Sequence, residues 1–139
     1  MRKLALLAGV LLACTSAMAG PDNIAPAAKA TASTTLSAKY SPQNVTDGII
    51  GVPGKGQWAC EGVTTSWGAI RYPWLQLEWD KPQSINKIIL YDRPEMDEYT
   101  ATVKLVFSDG SFVWANQIPN DGTAKVVNFS TRTVKWVKI

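Results

Sequence analysis

The segment from Tyr72 to Pro94, YPWLQLEWDKPQSINKIILYDRP, holds two tryptophans, two tyrosines and an arginine. The rest of this run alternates between apolar and polar residues as a half-buried strand does. Aromatic rings either pack in a core or stack on the apolar face of a ligand, and an arginine can donate several hydrogen bonds to that ligand. These residue types favour a site that recognises a ligand by stacking and hydrogen bonding.

Catalytic chemistry is poorly supported. The chain has no histidine, which excludes His-based triads, imidazole acid–base catalysis and nearly all zinc sites. The serine of Ser108-Asp109-Gly110 stands in a predicted hairpin turn with no base to activate it. The acidic residues are scattered over turns, and nothing pairs two of them as a glycosidase requires. We therefore predict that the protein is not an enzyme.

The first nineteen residues have the pattern of an export signal. A basic start at residues 1–3 precedes an apolar run over residues 4–13, and Ala17-Met18-Ala19 supplies the small residues of a cleavage site. The run is too short to span a bilayer. We expect cleavage after Ala19 and a periplasmic or secreted product. Leu11-Leu12-Ala13-Cys14 also resembles a bacterial lipobox, so the alternative is a protein anchored to lipid through Cys14.

Residues 20–139 suit one domain with a single core. Without Arg2 and Lys3 this part holds 12 basic against 11 acidic residues, a net charge of +1. It contains no basic run, so nucleic acid is not an expected partner. Cys60 is left without a disulfide partner if Cys14 leaves with the signal, and we expect it to be buried.

Short runs with a period of two residues recur from Leu75 to the end of the chain, and no sustained helical period is present. Gly, Pro, Asn and Asp clusters separate them, at Asp80-Lys81-Pro82, Ser108-Asp109-Gly110 and residues 119–122. This pattern predicts an all-β, antiparallel sandwich or barrel. The glycine-rich segment from Asp47 to Tyr72 is predicted to be a long, functional loop.

Seven motifs occur in the order found in one known family, and they extend from Asn23 to Ile139. They are NIAPAAKATAS, NVTDGIIG, QWACEG, PWLQLEWDKPQSINKIILYDRP, LVFSDGS, PNDG and VKWVKI. The chain thus resembles the discoidin or coagulation-factor type C domain, a galactose-binding-like jelly roll, in its bacterial branch. The resemblance implies a non-catalytic module that binds carbohydrate or another extracellular ligand, often attached to a larger secreted enzyme. The alternative is a structural, adhesion or protein-interaction domain without a sugar site.

In that family, ligands bind to loops at one end of the sandwich. A sugar has apolar C–H faces and a rim of hydroxyl groups, so its site needs an aromatic platform and a few fixed polar groups. Trp67 or Tyr72 could be the platform. The predicted polar groups are Glu61, Arg71, Asp92, Arg93 and Asp97. Arg93 has an alternative role, in which it pairs with a nearby carboxylate and holds a loop.

The remaining tryptophans have structural interpretations. Trp79 shares a strand face with Leu75 and Leu77, so we expect it in the core. By resemblance, Trp58 packs beneath the end of the sandwich. Trp114 and Trp136 are predicted to lie in the core or on the sheet surface.

Asp47-Gly48 matches a turn that helps to hold a structural calcium ion in many relatives, through carboxylate and backbone oxygens. Those relatives add a carboxylate from a final strand, which in this chain would follow Ile139. We therefore expect no cofactor beyond a weak calcium site at Asp47. We also expect the domain to lack its C-terminal strand and to leave one sheet edge unpaired.

Overall fold

The structure is a computed structural model that describes residues 6–12, 22–50, 52, 54–61, 72–94 and 100–139. Seven strands lie within these ranges: β1 Leu6–Leu12, β2 Asp22–Asn23, β3 Lys29–Ala32, β4 Leu75–Asp92, β5 Thr102–Phe107, β6 Phe112–Asn116 and β7 Ala124–Lys138. Short 3-10 helices occupy Ala25–Ala27, Ala38–Tyr40 and Pro42–Thr46. Every strand pair among the described residues is antiparallel, as the sequence predicted.

The strands follow the spatial order β2-β1-β4-β7-β5-β6, and β3 also pairs with β4. The pairing of β4 with β7 shifts register between Glu78 and Gln83 and again between Ile85 and Lys87. The predicted turn at Asp80-Lys81-Pro82 is therefore wrong, because these residues lie inside β4. The chain on both sides of them pairs with the same neighbour, β7, so the segment bulges rather than reverses, and a bulge tolerates a proline that has no N–H to donate.

The core is one cluster of apolar side chains from β4, β5, β6, β7 and residues 58–60. Leu75, Leu77 and Trp79 are buried together, which confirms that their alternation marks the inner face of β4. The indole N–H of Trp79 donates to the carbonyl oxygen of Ile24 at 2.8 Å. A buried indole needs such an acceptor, and Ile24 therefore ties the start of the domain to the core.

Trp58 and Cys60 are also buried, as predicted. The indole N–H of Trp58 donates to the carbonyl oxygen of Thr34 at 3.0 Å. Gly56 lies in this packed region with φ +63°, and a Cβ atom there would collide with the carbonyl oxygen of Ile49. Only glycine fits at this position, because any side chain would collide with the backbone of the same loop.

Strand β1 comes from the apolar part of the predicted export signal. Leu6–Leu11 pairs with Lys87–Asp92 along β4, so this edge of the sheet is covered in the full chain. An edge strand offers unpaired N–H and C=O groups, and an apolar segment can satisfy them without any specific side chain. The pairing does not test cleavage after Ala19, which stays a prediction.

Two tight turns are closed by aspartates, one in the β5–β6 hairpin and one in the connection from β6 to β7, which β5 separates in the sheet. The Asp109 carboxylate accepts from the N–H of Ser111, and the Asp121 carboxylate accepts from the N–H of Thr123, each at 2.9 Å. Gly110 and Gly122 follow with φ +85° and +82°, which is the conformation that the Asp-Gly pairs predicted. Hydrogen bonds from the hydroxyl and N–H of Thr123 lower the pKa of Asp121 from its ordinary value of 3.8.

Asp121→Asn should lower the melting temperature slightly at neutral pH, because an amide oxygen loses the charge that strengthens both bonds to Thr123. A carboxyl whose folded-state pKa is lowered stabilises the fold above its unfolded pKa and loses that contribution as the pH falls through the folded pKa. The difference in melting temperature between wild type and Asp121→Asn should therefore become smaller as the pH falls through the folded-state pKa of Asp121. Thermal melts of both proteins from neutral to strongly acidic pH measure it, and a difference that stays constant with pH would contradict this role.

Candidate functional site

The predicted ligand-binding residues lie in the segments before and after β4, which are at the two ends of this 18-residue strand. Residues 54–61 and 72–74 precede this strand, and Arg93, Pro94 and Thr100 follow it in the described part of the chain. Three predicted site residues, Trp67, Arg71 and Asp97, fall outside the described residues, and their roles remain predictions.

Tyr72 is the most exposed large hydrophobic side chain among the described residues, at 84% of its full accessible surface. The backbone directly after Tyr72 is anchored by hydrogen bonds. Trp74 exchanges two hydrogen bonds with Ser33, from its N–H to the Ser33 hydroxyl oxygen at 3.0 Å and from the Ser33 N–H to its carbonyl oxygen at 2.9 Å. Leu75, one residue further, is fully buried. Tyr72 therefore presents its ring to solvent next to an anchored strand end, which suits a stacking platform.

Asp92 has a different environment from the one expected of a ligand-binding carboxylate. It is 3% exposed, and its two carboxylate oxygens accept from backbone N–H groups, Oδ1 from Arg93 at 2.9 Å and Oδ2 from Thr100 at 2.6 Å. These bonds join the end of β4 to the chain that leads into β5, across residues 95–99. The geometry favours a loop-holding role, and sugar binding by Asp92 stays a prediction without support from its position.

Burial raises the pKa of the Asp92 carboxyl from its ordinary value of 3.8, although the N–H groups of Thr100 and Arg93 and the charge of Arg93 act in the opposite direction. Arg93 is itself buried, at 7% exposure. The positive charge of Arg93 and the carboxylate of Asp92 thus belong to one buried group. This arrangement fits the alternative interpretation of Arg93, in which it holds a loop.

Glu61 is exposed at the end of the described part of the glycine-rich segment. The three residues before it, Trp58 to Cys60, are buried. Its side chain is exposed to solvent, so its carboxylate is accessible to a ligand. Of the predicted site residues that the structure describes, Glu61 and Tyr72 are exposed and Asp92 and Arg93 are buried.

Asp47 forms a local turn. Its carboxylate Oδ1 accepts from the N–H of Ile49 at 2.8 Å, and Gly48 adopts φ +79° between them. Across the described ranges, no three acidic, cysteine or histidine side chains come together in a way that could hold a metal ion. A calcium site at Asp47 stays a prediction.

Trp114 and Trp136 lie on strands, in keeping with the sheet-surface alternative. Trp114 is 54% exposed and its neighbour Phe112 is 53% exposed. The sequence offers one signal for this surface. Phe112 and Trp114 are two residues apart on one strand and therefore share a face, whereas Val113 and Ala115 occupy the other, so both faces of β6 are apolar.

Solved structures with the same fold include three carbohydrate-binding modules. Chitosan-binding module 1 of a chitosanase/glucanase from Paenibacillus sp. IK-5 matches with a TM-score of 0.60 at 22% identity, over 84% of this chain and 83% of that one. The lectin domain of lectinolysin, solved with Lewis B antigen, matches with a TM-score of 0.64 at 17% identity, over 84% and 83%. A fucose-binding module of Streptococcus pneumoniae matches with a TM-score of 0.64 at 15% identity, over 88% and 86%.

These likenesses confirm the galactose-binding-like jelly-roll sandwich that the sequence motifs predicted. At such identities they show the fold alone. No curated protein matches the chain. In the described ranges there is no helix long and apolar enough to cross a membrane. The model of one protein family matches residues 23–139, and the chain therefore belongs to the family described as "Domain of unknown function (DUF7402)".

Proposed function

We propose that this protein is a non-catalytic module that binds a glycan through the segment that leads into β4. The observation that carries the proposal is the ring of Tyr72, which is 84% exposed beside an anchored strand end. An aromatic ring that is open to solvent can stack on the apolar face of a sugar, and a tyrosine ring has few side-chain torsions to order on binding. The exposed carboxylate of Glu61 would accept hydrogen bonds from sugar hydroxyl groups.

The fold supports the same proposal. Its structural neighbours include modules whose descriptions name chitosan, Lewis B antigen and fucose as ligands. One of them comes from a chitosanase/glucanase, which fits a role beside a larger secreted enzyme. We infer that this chain likewise recognises sugar without transforming it. Export through the signal at residues 1–19 would place it where such glycans occur.

Tyr72→Ala should abolish glycan binding while the domain stays folded, because the lost ring is on the surface. Tyr72→Phe should retain most of the binding, since it keeps the stacking face and removes only the hydroxyl group. A glycan array probed with the purified protein identifies the ligand, and calorimetric titration of that ligand compares the variants. Binding is expected to be weak, because one stacked ring and a few hydrated hydrogen bonds leave little free energy after ordering costs.

Trp67→Ala provides a second test, since Trp67 is the other predicted platform. If both Tyr72→Ala and Trp67→Ala bind the array ligand as wild type does, the loops at this end do not form the site. If the wild-type protein binds no glycan on the array, the structural or protein-interaction alternative is favoured instead.

A further inference from the structure

A second surface of the domain combines aromatic rings with lysines on the solvent side of the sheet. We call it the lysine–aromatic face, and it consists of Trp74, Lys104, Phe112, Trp114, Trp136 and Lys138. The strand register places these side chains together. Lys104 pairs directly with Trp114, and Val106 pairs with both Phe112 and Lys138. Directly paired residues point to the same side of a sheet, as do residues two apart on one strand.

The rings of this face are more exposed than packing alone would leave them. Phe112 is 53% and Trp114 is 54% exposed, whereas Trp58 and Trp79 are buried. Large apolar side chains that stand together on a surface often mark an interaction site. Both rings belong to an edge hairpin, formed by β5 and β6, that is closed by a turn at residues 108–111. The sheet therefore holds their spacing rigid before any ligand arrives.

Each lysine of the face lies over two rings. The Nζ of Lys104 is 4.1 Å from the ring centre of Phe112 and 5.8 Å from that of Trp114. The Nζ of Lys138 is 4.4 Å from the ring centre of Trp74 and 5.8 Å from that of Trp136. The same unit, one ammonium group between two aromatic rings, thus occurs twice. Because Lys138 pairs with Val106, Lys104 is its diagonal neighbour, at a Cα separation of about 7–8 Å.

The face carries net positive charge. Its two lysines outnumber the one neighbouring carboxylate among the described residues, that of Glu78, which pairs with Trp136 of β7 on one side and with Lys29 of β3 on the other. Around Lys104, the residues on the same side of β5 and β6 are all uncharged: Thr102, Val106, Phe112, Trp114 and Asn116. Lysines in this setting attract an anionic group, and the rings beside them offer stacking surfaces.

We propose that the lysine–aromatic face binds an anionic polysaccharide, one whose sugar rings carry carboxylates. An ammonium group over a ring competes with a sugar for the same aromatic surface. A neutral sugar would have to displace it without compensation. A carboxylate draws the lysine toward itself, which forms an ion pair and uncovers the ring for the sugar to stack on. The arrangement therefore selects for acidic over neutral chains.

The charge count favours a polysaccharide over a lipid surface. Recognition of anionic membranes by basic residues typically uses clusters of 4–8 lysines and arginines. The lysine–aromatic face has two, spaced apart by rings on a sheet. A linear polymer with one charge per sugar unit matches spaced single lysines better than a lipid surface does. The face adjoins the Tyr72 platform at Trp74, but Lys104, Phe112 and Trp114 belong to the β5–β6 hairpin. The proposal is carried by that hairpin and does not depend on the proposed function.

The test is a titration of the full-length protein with polygalacturonic acid and, as a matched control, with its fully methyl-esterified form, which has the same backbone and no charge. We expect binding of the acid, weakening with added salt as the charges are screened, and no comparable binding of the ester. Trp114→Ala should weaken binding of the acid by about two- to ten-fold through the lost stacking surface. Lys104→Gln should weaken it about two- to five-fold, as the loss of an exposed ion pair does.

Three further variants test whether polygalacturonate binds on the lysine–aromatic face. Lys125→Gln removes a lysine at the opposite end of β7 from Lys138, where Lys125 pairs with Leu90, and should leave binding unchanged. Tyr72→Ala should also leave binding of polygalacturonate unchanged, and a loss with this variant would place the acidic polymer at the loop site and overturn the proposal. Trp114→Phe keeps an aromatic ring and should retain most of the affinity. Circular dichroism melts of each variant show that the fold is intact.

The proposal fails if wild type does not bind polygalacturonate, if Trp114→Ala and Lys104→Gln bind it as tightly as wild type, or if the esterified polymer binds equally well. Vesicles of phosphatidylglycerol and phosphatidylcholine test the other anionic surface. Vesicle binding that needs Trp114, without binding of polygalacturonate, would assign the face to membranes and reject the proposal. Binding of polygalacturonate together with a failed search for neutral glycans would leave this inference standing and reject only the proposed function.

Discussion

Trp79→Ala is expected to lower the free energy of unfolding by about 3–5 kcal/mol, the usual cost of truncating a core tryptophan. Trp79 is 2% exposed, so the substitution leaves a cavity that surrounding side chains cannot fill. It also removes the indole donor from the carbonyl oxygen of Ile24, at 2.8 Å. This loss equals a large part of the total stability of a domain of this size. Urea denaturation followed by far-ultraviolet circular dichroism measures the change.

Trp114→Ala is the matched control, because it removes the same side chain from the sheet surface, where it is 54% exposed. Its effect on stability should be much smaller, since water already covers half of the ring and no large cavity forms. Equal destabilisation by the two substitutions would mean that Trp114 packs against the domain as closely as Trp79 does. That outcome would contradict the exposure of Trp114 on which the lysine–aromatic face depends, whereas a small effect of Trp79→Ala would contradict the core assignment of Trp79.

Asp92→Ala is expected to have the second largest effect. Its carboxylate accepts from the backbone N–H groups of Arg93 and Thr100, and a buried donor that loses its acceptor costs about 1–3 kcal/mol. The substitution also removes the negative charge next to the buried Arg93, which adds to the loss. Native-state hydrogen exchange at the Thr100 amide, together with urea denaturation, measures the effect.

Asp109→Ala is the control, since Asp109 also accepts from a turn N–H but is exposed, so water can replace it. It should destabilise the domain far less than Asp92→Ala. A stable, fully protected Asp92→Ala domain that has lost only glycan binding would favour the sugar-binding role that the sequence predicted for Asp92. Destabilisation with loss of amide protection would favour the loop-holding role.

The contribution of Asp92 to the stability of the fold should decrease as the pH rises. Burial raises the folded-state pKa of Asp92 above 3.8, so the contribution of this group to stability is fully present below the unfolded pKa and is lost as the pH rises through the folded value. Asp92→Asn does not titrate there. The stability difference between wild type and Asp92→Asn should therefore narrow as the pH rises through the raised pKa. This trend is opposite in direction to the one expected for Asp121→Asn.

Local patterns in the sequence were enough to predict the secondary-structure class and much of the core. The alternation of Leu75, Leu77 and Trp79 predicted one buried face, because side chains of a strand point to opposite sides with a period of two. The Asp-Gly pairs predicted hairpin turns, because they supply positive φ at a fixed position. Both inferences depend on neighbours within a few residues, and local sequence contains that information. The order of seven motifs then predicted the jelly roll that the structural comparisons confirm.

Other features depend on contacts between residues that are distant in the chain, and local patterns do not predict them. The sequence predicts that Asp92 is an accessible loop carboxylate. The fold instead brings the backbone N–H of Thr100, eight residues later, to 2.6 Å from this carboxylate. The residues Asp80-Lys81-Pro82 read as a turn, but pairing on both sides with β7 makes them a bulge. Phe112 and Trp114 must share a face of β6, yet the period of two does not say whether that face meets the core or solvent. Only the layer packed against the opposite side of the sheet decides which face is buried, and that layer comes from residues distant in the chain.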